Sequence, residues 1–181
     1  MKRILSFAVV CALLSQVSFA QEAPPAPKPG PEHEILKDME GTWDTVMTMA
    51  GAPKDAPASK GKSVSKMECG GLWLTSKFEG DFAGAKFEGR GIDGYDQTKK
   101  KYTAFWVDSM GTTPLILEGI YDAKTKALTM IGDFSGPDGK PTKFKIKSVI
   151  KDKDHHTSKM SMIGEDKMEQ EMFSIEYTRK K

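Results

Sequence analysis

The run Lys143-Phe144-Lys145-Ile146-Lys147-Ser148-Val149-Ile150 alternates charged and apolar side chains with a period of two. Neighbouring residues on a strand point to opposite faces, so Lys143, Lys145 and Lys147 belong to water while Phe144, Ile146, Ser148 and Ile150 belong to an interior. The pattern extends in both directions. Lys62, Lys66 and Glu68 alternate with Ser63, Ser65, Met67 and Cys69, and Lys159 opposes Met160 and Met162. From Gly41 onward such β-rich runs recur between turn-forming clusters and predict about ten strands, near 42–49, 62–69, 72–79, 85–94, 101–109, 114–121, 127–133, 142–150, 156–163 and 171–179. Asp96-Gln97-Thr98-Lys99-Lys100 and Asp122-Ala123-Lys124-Thr125-Lys126 read as similar hairpin turns, each after a tyrosine, and Gly136-Pro137-Asp138-Gly139 as a third of another type. No helix of crossover length separates the strands, which excludes parallel pairing and leaves an up-and-down antiparallel meander. Strands in that number in one open sheet would expose long edges, and closure removes them. The predicted fold class is therefore all-β, a ten-stranded antiparallel barrel. One short helix precedes it over 31–40, where Ile35, Leu36 and Met39 share a stripe, Pro31 suits the first helical position and Gly41 the stop.

The chain has 181 residues, 38% apolar and 29% charged, which suits one domain with a real core. Its 27 Lys plus Arg against 25 Asp plus Glu lack the basic bias of a nucleic-acid-binding protein. Residues 1–20 read as a secretory signal peptide: Lys2 and Arg3, an apolar run from Ile4 to Leu14, then Ser18-Phe19-Ala20 for cleavage after Ala20. That run is about half the ~20 residues a spanning helix needs, so no membrane span is expected. A lipid anchor on Cys11 is disfavoured by Val9 and Val10 before it. The expected location is the periplasm or outside the cell, as a mature chain with 25 basic and 25 acidic side chains once Lys2 and Arg3 are gone. Residues 21–30, with Pro24, Pro25, Pro27 and Pro29, read as an extended linker, and 31–181 as the barrel domain. Cys69 alone survives cleavage, so no internal disulfide forms, and it reads as a buried strand cysteine.

The inferred lumen is rich in Met, Ser and Phe, with too little bulk to fill a barrel of this strand number, so a cavity is expected. Its candidate ligand-binding residues are Met47, Met67, Trp106, Asp108, Phe144, Met160 and Met162. Unbranched, polarizable methionines adapt to irregular shapes, which points to a small apolar or amphipathic molecule held mainly by burial. The strand from Tyr102 to Met110 has Tyr102, Trp106, Asp108 and Met110 on one face, and Thr103, Phe105, Val107 and Ser109 on the other. Either face could be inside. With the Trp106 face inside, Asp108 needs a donor such as Arg90, Arg179 or a tyrosine, or else a backbone amide at the strand end.

His155 and His156, flanked by Asp152 and Asp154, contain metal-ligand chemistry. Consecutive strand residues diverge, however, so these read as surface-turn histidines, and no metal or cofactor is expected. His33-Glu34 starts like a zinc-peptidase helix, but Lys37 takes the place of the second histidine. Two alternatives to ligand binding stay open: a barrel-type enzyme, an isomerase or hydrolase using Asp108 as base, and a solid-core structural or interaction module.

Gly41-Thr42-Trp43 at the start of the first strand, with Arg179 near the end of the last, resembles the lipocalin and calycin signature. That resemblance implies a barrel-end plug, the Trp43 indole covered by the Arg179 guanidinium. A wider set of segments is similar to the bacterial domain-of-unknown-function family fifteen seventy-nine: Pro31-Glu32-His33-Glu34-Ile35-Leu36, Phe87-Glu88-Gly89, Gly94-Tyr95-Asp96, Trp106-Val107-Asp108-Ser109-Met110, Glu118-Gly119-Ile120-Tyr121-Asp122, Asp154-His155-His156 and Tyr177-Thr178-Arg179-Lys180-Lys181. The resemblance implies a lipocalin-like domain with no established activity.

Overall fold

In the computed structural model, which describes residues 25–53, 55–82, 84–135 and 141–181, a short helix α1 (Glu32–Asp38) leads into ten strands. They are β1 (Gly41–Met49), β2 (Ser59–Glu68), β3 (Trp73–Phe82), β4 (Ala85–Asp96), β5 (Lys101–Asp108), β6 (Leu115–Asp122), β7 (Ala127–Ser135), β8 (Pro141–Asp152), β9 (His155–Ile163) and β10 (Glu169–Arg179). Each pairs antiparallel with its sequence neighbours, and β1 pairs with β10 to close the barrel. The alternation in the sequence therefore becomes an inside and an outside with no free edge. Strand boundaries fall within three residues of the expected ones. The leader, Cys11, the first part of the linker and the Gly136–Gly139 turn lie outside the described residues. No described helix is long and apolar enough to cross a membrane.

The outer face carries the lysine stripe, tied to acids across the sheet: Lys143 of β8 to Asp133 of the adjacent β7 at 2.6 Å, Lys159 of β9 to Glu171 of the adjacent β10 at 2.9 Å, and Lys145 of β8 past β9 to Glu169 of β10 at 2.6 Å. Such exposed pairs contribute little each, and they keep the outside polar. The two Tyr-Asp turns are built alike. Asp96 accepts the amides of Thr98 and Lys99, and Asp122 accepts the amide of Lys124 and the Thr125 hydroxyl. These bonds hold both carboxyls below the usual range.

The two barrel ends differ. At one end lie α1, the Tyr-Asp turns and the β8–β9 turn. Leu36 of α1 is 1% exposed and belongs to the core cluster with Leu74, Tyr102, Leu117 and Leu128, and the Tyr102 hydroxyl donates to the Glu32 carbonyl at 2.9 Å. At the other end, among the described residues, are the loops joining β5 to β6 and β9 to β10. Cys69 corrects the expectation of a buried strand cysteine. β2 stops at Glu68, and Cys69 sits exposed with φ 51° in a tight turn over Cys69–Gly71, outside the lumen.

Candidate functional site

The closed end is organised by Trp43 and Arg179. Trp43 is 1% exposed, and its indole Nε1 donates to the Met39 carbonyl at 3.0 Å. The Arg179 guanidinium lies 4.0 Å above the ring. Its Nη1 donates to the carbonyl of Glu40 at 2.6 Å, Nη2 to that of Asp38 at 3.0 Å and Nε to that of Lys153 at 2.7 Å. One side chain thus ties the end of α1 to the β8–β9 turn while covering the plug. Gly41 makes this possible: its φ is +133°, and a Cβ there would collide with Arg179 Nη1.

Behind the plug lies a cavity of about 440 Å³, within the range of small-molecule sites. Met47, Phe144 and Met160 line it, as do the candidate pair Trp106 and Asp108 and the plug residue Trp43. Met67 and Met162 are not among its lining residues: Met67 packs beside the core cluster near the closed end, and Met162 is half-buried opposite Phe144 in register. The lining continues to Met110, Gly111 and Thr113 in the β5–β6 loop, where Met110 is 61% exposed, so the cavity opens at the end opposite the plug.

Trp106 faces inward because β4 leaves room for it. Gly91 pairs with Trp106, and a Cβ on Gly89 would strike the indole, so the ring lies across bare backbone. Its Nε1 donates to Asp108 Oδ2 at 2.8 Å, and the Met110 amide donates to Oδ1 at 2.8 Å. The partners of Asp108 are therefore an indole and a backbone amide. Arg90 turns instead to the Gly89 carbonyl, and Arg179 is engaged at the closed end.

The floor of the cavity is polar. His156 corrects the surface-turn expectation: it is 7% exposed, lines the cavity, meets Trp43 edge-on at 4.4 Å and stacks on Tyr177 at 4.1 Å. Its partner in the sequence motif, His155, is exposed and bonded to Asp152 at 2.9 Å. The β-pleat separates the two rings, and no metal-binding cluster occurs among the described residues. Burial, and then the charge of Arg179, lowers His156 to about 4, so its imidazole is neutral at neutral pH. Arg179, Trp43, His156 and Tyr177 form a continuous stack from the outer cap to the inner floor.

Beside this stack is Asp93, a residue the sequence reading passed over. It lines the cavity and has no hydrogen-bond partner among the described residues. It is half-buried by accessible surface. Burial raises the carboxyl to about 7, and burial with the nearby Asp93 charge pushes Tyr177 above the usual phenol range. A signal for Asp93 existed in the sequence: Phe87, Gly89, Gly91 and Asp93 fall at period two on one face of β4. Two glycines in that row dilute the pattern, since they add no hydrophobicity to mark the face as internal.

The family model described as a protein of unknown function, DUF1579, matches residues 28–179, and the chain belongs to that family. Among solved structures, the fold is similar to that of Rv2717c from M. tuberculosis, with a TM-score of 0.58, 12% identity and coverage of 84% of this chain and 99% of that one. It is also similar to the S-type phycobiliprotein lyase CPES from Guillardia theta, with a TM-score of 0.51, 8% identity and coverage of 83% and 93% respectively. At these identities the likeness speaks for the lipocalin-like barrel alone. No curated protein matches the sequence.

Proposed function

We propose that this member of the DUF1579 family is an exported binding protein that carries a small apolar or amphipathic molecule inside its barrel. The observation that carries the reading is the cavity itself: about 440 Å³, stopped at one end by Trp43 and lined toward the other by Phe82, Phe87, Phe134 and Phe144. Apolar burial at about 25 cal/mol per Å² makes such a space favourable for a hydrocarbon chain without many directional bonds. The ligand enters past the β5–β6 loop, where Gly111 offers backbone freedom at low cost. Binding is the reading favoured over catalysis by Asp108, because both oxygens of that carboxylate already accept hydrogen bonds.

The test is titration of the purified protein with the neutral fluorescent probe Nile red, beside native mass spectrometry of the untreated protein. Wild type should take up one probe per chain, and a Met47→Trp, Met160→Trp double variant, whose added rings occupy the cavity, should lose at least tenfold in affinity. No uptake by wild type, or uptake indifferent to the two tryptophans in a variant with unchanged circular dichroism, would remove the cavity from consideration.

A further inference from the structure

Building on the cavity-binding reading, we infer that the barrel selects amphiphiles with a cationic amine head, seated against Asp93 at the closed end with the apolar tail toward the mouth. The sign of the interior is the first argument. Asp93, Asp108, His156 and Tyr177 are the lining groups with titratable side chains facing the space, and none carries positive charge at neutral pH. Lys159 also touches the cavity wall, but its ammonium is bonded to Glu171 and its side chain is 56% exposed. All three donor nitrogens of Arg179 are engaged by carbonyls at the plug. A carboxylate-headed amphiphile would therefore bring a charge to a floor with no counter-ion. An ammonium head would meet the Asp93 carboxylate.

The second argument is the difference between Asp93 and Asp108. Asp108, near the mouth, has both oxygens occupied by Trp106 and Met110. Asp93, at the floor, has no partner among the described residues. A carboxyl removed from bulk water without a donor is costly, and an ammonium supplies up to three donors together with the opposite charge. The third argument is the gradient along β4. From Phe87 at the mouth to Asp93 at the floor is about 20 Å at roughly 3.3 Å per residue. Between them lie Gly89 and Gly91, whose missing side chains leave the Trp106 ring as the wall. One apolar channel thus ends in one unpartnered acid.

The experiment is competition against Nile red at pH 8 by decylamine, decanol and decanoate, three ligands with the same tail and different heads. Decylamine should displace the probe from wild type at a concentration at least tenfold below that needed for decanoate. In Asp93→Asn it should lose at least tenfold and fall level with decanol, whose displacement stays within threefold of wild type. Decanoate equal to or better than decylamine in wild type overturns the inference without any variant, and so does an amine affinity unaltered by Asp93→Asn. Both of those outcomes leave the cavity reading standing, because the probe still binds. Failure of Nile red and all three decyl compounds to bind wild type would overturn both.

Discussion

Inside the barrel, Asp93 is held up to about 7 by burial and His156 down to about 4 by burial and the Arg179 charge. The folded state keeps a proton on Asp93 that the unfolded chain gives up from its ordinary value of 3.8. This stabilisation is complete below that value and is lost as pH rises through 7. His156 works in the other direction. The unfolded chain takes up a proton as pH falls through 6.5 while the folded state refuses it until about 4, so this contribution is present above 6.5 and lost on acidification. Each slope approaches about 1.4 kcal/mol per pH unit inside its window, and between pH 4 and 6.5 they oppose. Removing one should expose the other. Urea denaturation at pH 4.5 and 6 should show Asp93→Asn gaining roughly 1–2 kcal/mol relative to wild type as pH rises, and His156→Gln losing a similar amount. Identical pH dependence in the two variants would mean that these groups do not titrate as their burial requires.

At the level of elements, the closed end depends on three segments distant in sequence: the α1–β1 junction, the β8–β9 turn and the end of β10. Arg179 joins them through the carbonyls of Asp38, Glu40 and Lys153, and Trp43 fills the space beneath. Trp43→Ala should therefore cost about 3–5 kcal/mol, the range for large aromatic truncations in a core. It should also loosen the Tyr177–His156 stack that forms the cavity floor. Equilibrium denaturation checks this, and a loss below about 1 kcal/mol, typical of surface substitutions, would show that the indole does not bear the load assigned to it.

For the whole molecule, export is the proposal with the broadest consequence. On this proposal, cleavage falls after Ala20 and leaves one cysteine, Cys69. A barrel without disulfides must be stabilised by its core and its closure, and both are present: β1 pairs with β10, and the apolar cluster runs from Leu36 to Met130. N-terminal sequencing of protein recovered from the native host should begin at Gln21. A start at Met1, or an acyl group on Cys11, would refute processing by a signal peptidase at Ala20.

The sequence by itself determined the strands, their order and the closed antiparallel barrel, because a period of two, hairpin-length connections and the absence of crossover helices are local facts that leave one topology. It also placed Trp43 and Arg179 at one barrel end through their positions in the first and last strands. Which face of β5 turns inward was not local: Phe105 and Val107 on the outer face are about 40% exposed and as apolar as the inner row, so alternation alone had no preference. The bare backbone of Gly89 and Gly91 on the neighbouring strand decides it by admitting Trp106. The polar floor likewise exists only in the closed barrel. Asp93 on β4 is far along the chain from His156 on β9 and its register partner Tyr177 on β10, and only closure brings the two sides together behind the plug and removes them from bulk water. Charge and hydrogen-bonding need in that floor come from enclosure, a property of the assembled wall.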